Sequence, residues 1–159
     1  MRIHRIALRN YRGVTESEVH LATSGVAIIE GDNEVGKTSL AEAVDLLLTY
    51  PDSSSHRRIK AIQPIGRDEG PEAEVELTTG PYRFVYRKRW CKQKATTLDV
   101  LEPRREQLTG KEAHDRVEAM LAETLDKPAL VTWDVEKILG RPALTFAHWV
   151  SQHRGLFTK

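Results

Sequence analysis

Residues 31–38 of this sequence read Gly31-Asp32-Asn33-Glu34-Val35-Gly36-Lys37-Thr38. The four residues at 26–29, Val26-Ala27-Ile28-Ile29, form an apolar run that is typical of a strand covered on both faces. After the segment, apolar residues recur at helical spacing, at Leu40, Ala43, Val44, Leu47 and Leu48. The region therefore predicts a buried strand, a glycine-containing loop and an amphipathic helix that ends before Pro51, because the residue preceding a proline avoids the helical conformation.

The loop matches the pattern G-x-x-x-x-G-K-[ST] at every specified position. Gly31 and Gly36 allow close approaches of the backbone that a side chain would block. The N–H groups of such a loop converge on phosphate oxygens, and the start of the following helix adds partial positive charge. Lys37 can neutralise nucleotide phosphates, while the Thr38 hydroxyl can ligate Mg²⁺. The sequence thus predicts a nucleoside-triphosphate site with Mg²⁺, formed by Gly31, Asp32, Asn33, Glu34, Val35, Gly36, Lys37, Thr38 and Ser39.

The remaining chain alternates between strand and helix patterns. Apolar alternation predicts strands at residues 3–8, 18–21, 72–78, 82–87 and 96–101. Residues 51–72 are rich in Ser, Pro, Gly and charge, so a long loop is predicted there. A capping-box sequence at 109–112 precedes a second amphipathic helix, on which we expect His114 to be exposed. Two short helices are predicted within 131–159. Together these patterns predict an α/β fold with a mixed sheet, an antiparallel hairpin and flanking helices.

Composition excludes several classes of protein. The 159 residues are 40% hydrophobic and 30% charged, as in a globular domain. No apolar run approaches the ~20 residues that cross a bilayer, and the N-terminus lacks a signal-peptide pattern. The single cysteine, Cys91, excludes an internal disulfide and a cysteine-based zinc cage. We therefore expect a cytoplasmic protein without a membrane partner, in which Mg²⁺ arrives with the nucleotide.

Charge is unevenly distributed although the net charge is only +1. Acidic residues crowd positions 68–76, and basic residues crowd positions 83–94. One interpretation is two solvated strand faces that neutralise each other. The other is a surface for a DNA backbone, with Arg87, Lys88, Arg89, Lys92 and Lys94 as candidates. Trp90 could stack on bases there or fill the underside of the sheet.

Two stretches resemble one known family. The sequence Ile29-Glu30-Gly31-Asp32-Asn33-Glu34-Val35-Gly36-Lys37-Thr38-Ser39-Leu40-Ala41-Glu42-Ala43 is similar to the "GxNxxGKSSLxEA" form of SMC-like ATPases, the group of SMC proteins, RecF, RecN, SbcC and YhaN. The opening Ile6-Ala7-Leu8-Arg9-Asn10-Tyr11-Arg12-Gly13 resembles their "hxhxNFRxh" strand and turn. The resemblance covers about residues 1–130 and implies the N-terminal lobe of a P-loop ATPase.

The resemblance implies roles for matching residues and partners for the chain. Asn33 would lie near the phosphates, and Arg12 would approach them from the first turn. In the family, ATP is sandwiched between two lobes from opposing protomers in a head-to-head dimer. Family members act on DNA in repair or chromosome maintenance, often with a nuclease partner.

The sequence also departs from the family pattern. No signature loop, apolar strand ending in Asp-Glu, or switch histidine is recognisable, so the ATPase head is incomplete and no complete catalytic set is predicted. Residues 129–134 are too polar for the Asp-Glu strand. Residues 131–159 are predicted as a separate tail, similar to the C-terminus of NmrA-like short-chain reductases, although Gln152 could be the family's Mg²⁺-sensing glutamine. We expect nucleotide binding, with hydrolysis only when a second lobe is supplied.

Three alternatives stay open at this stage. A small P-loop kinase would need an arginine-bearing lid over the phosphates and a pocket for the acceptor. A DNA- or protein-binding remnant would use the basic hairpin and ignore nucleotide. A truncated fragment would expose a sheet edge and aggregate.

Overall fold

A computed structural model describes residues 1–22, 37–64 and 66–125. These contain, in chain order, β1 (Arg2–Tyr11), β2 (Val14–His20), α1 (Lys37–Thr49), α2 (Arg57–Lys60), β3 (Glu72–Thr79), β4 (Tyr82–Arg89), β5 (Ala95–Glu102), β6 (Glu106–Thr109) and α3 (Gly110–Leu125). The described strands form one sheet in the order β2-β1-β3-β4-β5-β6. Each neighbouring pair in that order is antiparallel.

One face of the sheet carries the core. Alternate residues of β3 and β4, such as Val75 and Phe84, point to this face and are fully buried. Helix α1 packs over β1 and β3, while α3 packs over β5 and β6. The apolar stripe of α1 includes Leu40, Ala43 and Leu47, as its helical spacing predicts. Burial of these stripes against the sheet therefore positions the start of α1.

The opposite face carries an ordered network of ion pairs. The register sets Glu72 of β3 between Arg9 of β1 and Arg89 of β4. Arg9 Nη1 lies 2.9 Å from one carboxylate oxygen of Glu72, and Arg89 Nη2 lies 2.7 Å from the other. Further along, Glu74 pairs with Arg5. The acidic strand is therefore neutralised by basic residues on both neighbours.

Gly70 allows the chain to enter β3 beside the end of β4. A Cβ atom at Gly70 would lie 2.6 Å from the carbonyl oxygen of Trp90 and would also clash with that of Lys92. No real side chain tolerates such an approach to backbone atoms. Nearby, the N–H of Trp90 donates to the carbonyl of Pro71 at 3.0 Å. The glycine thus fixes the junction between the loop and the sheet.

The structure confirms most of the predicted elements and adds two. Strands at 3–8, 72–78, 82–87 and 96–101 are present with longer bounds, and the 18–21 strand belongs to β2. The expectation of one long loop over 51–72 was wrong at α2, which the sequence pattern did not indicate. Strand β6 was also missed. The predicted strand at 26–29 and the boundary between 1–130 and 131–159 lie outside the described residues.

Candidate functional site

Helix α1 begins at Lys37, so the last two residues of the predicted phosphate-binding segment 31–38 belong to the helix. Residues 31–36 lie outside the described residues, as does the side chain of Lys37. In the first turn of α1, Thr38 is exposed and Ser39 is buried. Thr38 is therefore accessible to a ligand, whereas Ser39 is covered by the protein.

Arg12 lies in the two-residue turn between β1 and β2. Its φ is 54°, in the left-handed region that costs a non-glycine residue about 1–2 kcal/mol. The Arg12 N–H donates to the carbonyl oxygen of Ile62 at 2.8 Å, so the turn is tied to the segment after α2. The contact fixes the direction in which this side chain leaves the turn.

The guanidinium of Arg12 pairs with Glu42 of α1. Arg12 Nη2 lies 2.9 Å from Oε2 and 3.0 Å from Oε1 of that carboxylate. Glu42 is four residues after Thr38, which is one helical turn along the same side. The structure thus brings Arg12 beside the second turn of α1, and its approach to nucleotide phosphates stays a prediction.

Tyr11 lies under this contact and is fully buried. Burial, reinforced by the negative charge of Glu42, raises the pKa of the Tyr11 phenol well above its usual value. Its hydroxyl has no hydrogen-bond partner among the described residues, and neither does the indole N–H of Trp90. The phenol therefore stays neutral and holds the base of the turn by packing.

A second cation borders the same turn. A cavity of about 140 Å³ is lined by Asn10, Arg12, Gly13, Val14, Thr15, Pro64 and Arg67. Arg67 Nη1 donates to Thr15 Oγ1 at 3.3 Å, which places its guanidinium against β2. Sequence reasoning missed both Arg67 and the partner role of Glu42. The only sequence signal for Glu42 was its place in the family-like stretch after the loop.

The basic residues proposed for DNA divide between two environments. Arg87 and Arg89 point to the charged face, where Arg87 Nε lies 4.0 Å from Glu74 and Arg89 pairs with Glu72. Lys92 pairs with Asp68 at 2.7 Å, and Lys94 is exposed. The interpretation as mutually neutralised strand faces therefore describes the hairpin well.

The prediction that Lys88 could contact DNA was wrong. Its side chain points to the core face and is fully buried, because strand side chains alternate between faces. Its ammonium donates to the carbonyl oxygens of Leu47 and Tyr50, both at 2.7 Å. These carbonyls lie at the end of α1, where helix oxygens lack intrahelical partners. Lys88 thus caps the helix and offers no surface to a nucleic acid.

His114 was expected to be exposed, but its side chain is only 12% exposed. Its Nδ1 lies 3.1 Å from Lys88 Nζ and 3.0 Å from the hydroxyl of Tyr86. Burial and the neighbouring Lys88 lower the pKa of His114, so the ring is neutral near pH 7. Burial also lowers the pKa of Lys88 to about 7, although Asp52 and Glu118 oppose the shift. The prediction failed because α3 turns this histidine toward the sheet.

Other predicted features have mixed outcomes. Trp90 is fully buried, which fits packing under the sheet and not stacking on bases. Within 1–22, 37–64 and 66–125, no group of three acidic, histidine or cysteine side chains could hold a metal ion. Gln152 lies outside the described residues. No described helix is both long and apolar enough to cross a bilayer.

The sequence matches one family model and several proteins. The model described as "AAA ATPase domain" matches residues 1–108. Uncharacterized proteins of Mycobacterium bovis and Mycobacterium tuberculosis are each 50% identical over 139 residues. That alignment covers 87% of this chain and 16% of the relatives, so the chain spans about one sixth of their length.

The chain is also similar to a named relative and to a solved structure. The DNA replication and repair protein RecF of Chloroflexus aggregans is 35% identical over 91 residues, covering 53% of this chain and 23% of that protein. A structure described as "Structural biochemistry of ATP-driven dimerization and DNA stimulated activation of SMC ATPases" superposes with a TM-score of 0.54. The two sequences are 15% identical, and the superposition covers 88% of this chain and 92% of the other. This similarity supports the fold alone. The resemblance to SMC-like and RecF ATPases is confirmed.

Proposed function

This chain belongs to the AAA ATPase domain family, and on that premise we propose that it is the ATP-binding N-terminal lobe of an SMC-like ATPase in DNA repair or chromosome maintenance. The proposal includes Mg²⁺ bound with the nucleotide. The observation that carries it is the pairing of Arg12 with Glu42, which sets a guanidinium beside the start of α1.

The residues around the start of α1 suit a bound nucleoside triphosphate. Residues 31–36 and Lys37 would hold its phosphates through backbone N–H groups and one ammonium. Thr38, exposed in the first turn, would supply a hydroxyl to Mg²⁺. Mg²⁺ in such a site neutralises charge on the phosphates. Asn33 and Ser39 would contribute from the loop and from the helix start.

The guanidinium of Arg12 would exchange its partner Glu42 for a phosphate when nucleotide binds. Its side chain is 42% exposed and is held by a single carboxylate. A bound phosphate competes with Glu42 for the guanidinium, since Nη2 of Arg12 donates to Glu42 Oε1 and the oxygens of a phosphate accept the same kind of hydrogen bond. The strained turn and the Ile62 contact keep the arginine close without fixing its far end.

Hydrolysis is proposed to require a second lobe. Among the described residues, no group of three acidic, histidine or cysteine side chains could hold a metal ion. In the proposed assembly, nucleotide joins two copies head to head, and DNA and a nuclease are further partners. The chain alone is then expected to bind ATP with negligible turnover.

The test is stabilisation of the whole chain by ATP with Mg²⁺. A ligand that binds only the folded state raises its stability by RT ln(1 + [L]/Kd), about 2.7 kcal/mol at a hundredfold excess over Kd. We expect a rise in melting temperature for the wild type that is lost in Lys37→Ala. Arg12→Ala should reduce the rise, because it removes a charge near the phosphates and not the loop itself.

Lys111→Ala is the matched control, because Lys111 is an exposed lysine in the first turn of α3. It should keep the full stabilisation. An equal rise in wild type and Lys37→Ala would exclude the phosphate-loop site. No rise in any protein favours a nucleotide-independent binding module, and transfer of phosphate to an added acceptor favours a kinase.

A further inference from the structure

Lys88 is the only buried cation among the described residues, and one of its acceptors can itself take up a proton. Its ammonium donates to the carbonyl oxygens of Leu47 and Tyr50, each at 2.7 Å, and lies 3.1 Å from Nδ1 of His114. An ammonium has three donors and no acceptor. The contact with His114 therefore needs a lone pair on Nδ1, which only the neutral ring provides.

A proton on Nδ1 of His114 breaks this arrangement. The charged ring keeps partners of its own, because the hydroxyl of Tyr86 lies 3.0 Å from Nδ1 and a carboxylate oxygen of Glu118 lies 3.4 Å from Nε2. The ammonium of Lys88, in contrast, loses its third acceptor and lies 3.1 Å from a second positive charge. Two like charges at this distance repel strongly where water is excluded. The second proton thus favours separation of Lys88 from His114.

His114 can exchange protons with solvent, whereas Lys88 is enclosed. A cavity of about 270 Å³ lies between the chain after α1 and the first turns of α3, and its walls include Pro51, Asp52, Lys111 and His114. The side chain of His114 is 12% exposed, and that of Lys88 is fully buried. A proton can therefore reach the ring at the seam between the two helices without crossing the core.

The charged groups around His114 act in opposite directions. Burial and the ammonium of Lys88 lower the pKa of the ring, whereas the carboxylates of Glu118, Asp115 and Asp52 raise it. Glu118 and Asp115 are exposed, so water and salt screen them more than they screen the buried ammonium. The ring is consequently neutral near pH 7 and takes up its proton in acid.

We propose that Lys88 and His114 form a proton-sensitive latch, which links the end of α1 to α3 near neutral pH and opens in acid. The contacts join Leu47 of α1 to β4 and β4 to α3 across 41 and 26 residues of sequence. Thr38 lies at the other end of α1, so the latch connects pH to the helix that the proposed function assigns to nucleotide. That connection rests on the proposed function, whereas the latch itself does not.

The test is amide hydrogen exchange of the whole chain at pH 6.5 and 5.0, corrected for the intrinsic pH dependence of exchange. Lys88, with a pKa of about 7, is mostly protonated throughout this range. In the wild type, the opening constant of the last turn of α1 and the middle of α3 should rise about fivefold or more, because the open form binds the proton more readily. His114→Gln keeps an acceptor oxygen but cannot titrate, so the rise should be less than about twofold.

His56→Gln is the matched control, because the ring of His56 also contacts the end of α1. It stacks on Tyr50 with 4.8 Å between the ring centroids. This variant should open in acid as the wild type does. An equal rise in wild type and His114→Gln, or loss of the rise in His56→Gln, overturns the proposal.

NMR titration of the His114 ring is a second measurement, which does not depend on the folding of His114→Gln. The pKa of His114 should lie below the ordinary value of about 6.5 in the wild type and should rise in Lys88→Met, where the neighbouring charge is gone. Equal pKa values in the two proteins contradict the latch. Acid opening without any stabilisation by ATP overturns the proposed function and leaves the latch standing.

Discussion

Neighbouring cations of strand β4 differ in burial and in hydrogen-bond partners, because they lie on opposite faces of the sheet. Arg87 and Arg89 lie on the charged face among carboxylates and water, and both remain partly exposed. Lys88, between them, is fully buried against α1 and α3. Two kinds of partner replace water: carboxylates on the open face, and carbonyl oxygens at a helix end on the covered face.

The difference shows that a run of basic residues is not a single surface. Successive side chains of a strand point to opposite faces of the sheet, so three consecutive cations cannot all contact one ligand. An ammonium on a long stem can reach the unpaired carbonyls that end a helix. Lys88 therefore joins the sheet to the helix that carries the phosphate loop at its other end.

The largest expected effect comes from removing the buried cation. Lys88→Ala leaves the carbonyls of Leu47 and Tyr50 without this donor and opens a cavity, so we expect the free energy of unfolding to fall by about 2–5 kcal/mol. Arg87→Ala, the neighbour on the open face, should cost less than about 1 kcal/mol. Urea denaturation measures both. Equal losses in the two variants would contradict the contrast between the faces.

The pH dependence of stability tests the burial of Lys88 on the covered face. The pKa of Lys88 is lowered to about 7 in the folded protein, against an ordinary value near 10.4 in the unfolded chain. Between those values only the unfolded chain binds the proton, so stability rises with pH across this window and is lowest below pH 7. Lys88→Met lacks the group, so its stability should rise less over the same window.

The measurement is the free energy of unfolding of both proteins at pH 6, 7, 8 and 9. The difference between wild type and Lys88→Met isolates Lys88 from other groups that titrate nearby. Burial lowers the pKa of His114 in both proteins, but the contribution of Lys88 is lost in Lys88→Met, so the comparison relies on pH 8 and 9, where histidine is uncharged. A difference that stays constant with pH would show that Lys88 keeps its ordinary pKa.

A smaller effect than that of Lys88→Ala is expected from Glu72 on the charged face. Burial opposes ionisation of Glu72, but hydrogen bonds from Arg9 and Arg89 hold its pKa below the usual value. Glu72→Gln should therefore cost about 1–2 kcal/mol at neutral pH. This contribution is present above the unfolded pKa of about 4.3 and is lost as pH falls through the lower folded pKa. The exposed Glu69→Gln is the control, and a Glu72→Gln defect that persists at pH 2 would contradict the ion-pair explanation.

Sequence patterns predicted the elements whose neighbours are close in the chain. The β3–β4 hairpin follows from alternation around Gly80, and α1 follows from the spacing of its apolar residues and Pro51. Helix α2 and strand β6 have only four residues each, too few for either period to stand out. His114 was misplaced because its burial depends on which side of α3 meets the sheet.

The sequence by itself determined the phosphate-loop pattern and the family resemblance. Only the tertiary structure decided that Glu42 holds Arg12 and that Lys88 closes the end of α1. Arg12 and Glu42 are 30 residues apart, and Lys88 and Leu47 are 41 apart. Such contacts are set by strand register and helix packing, which join distant segments that no local period connects.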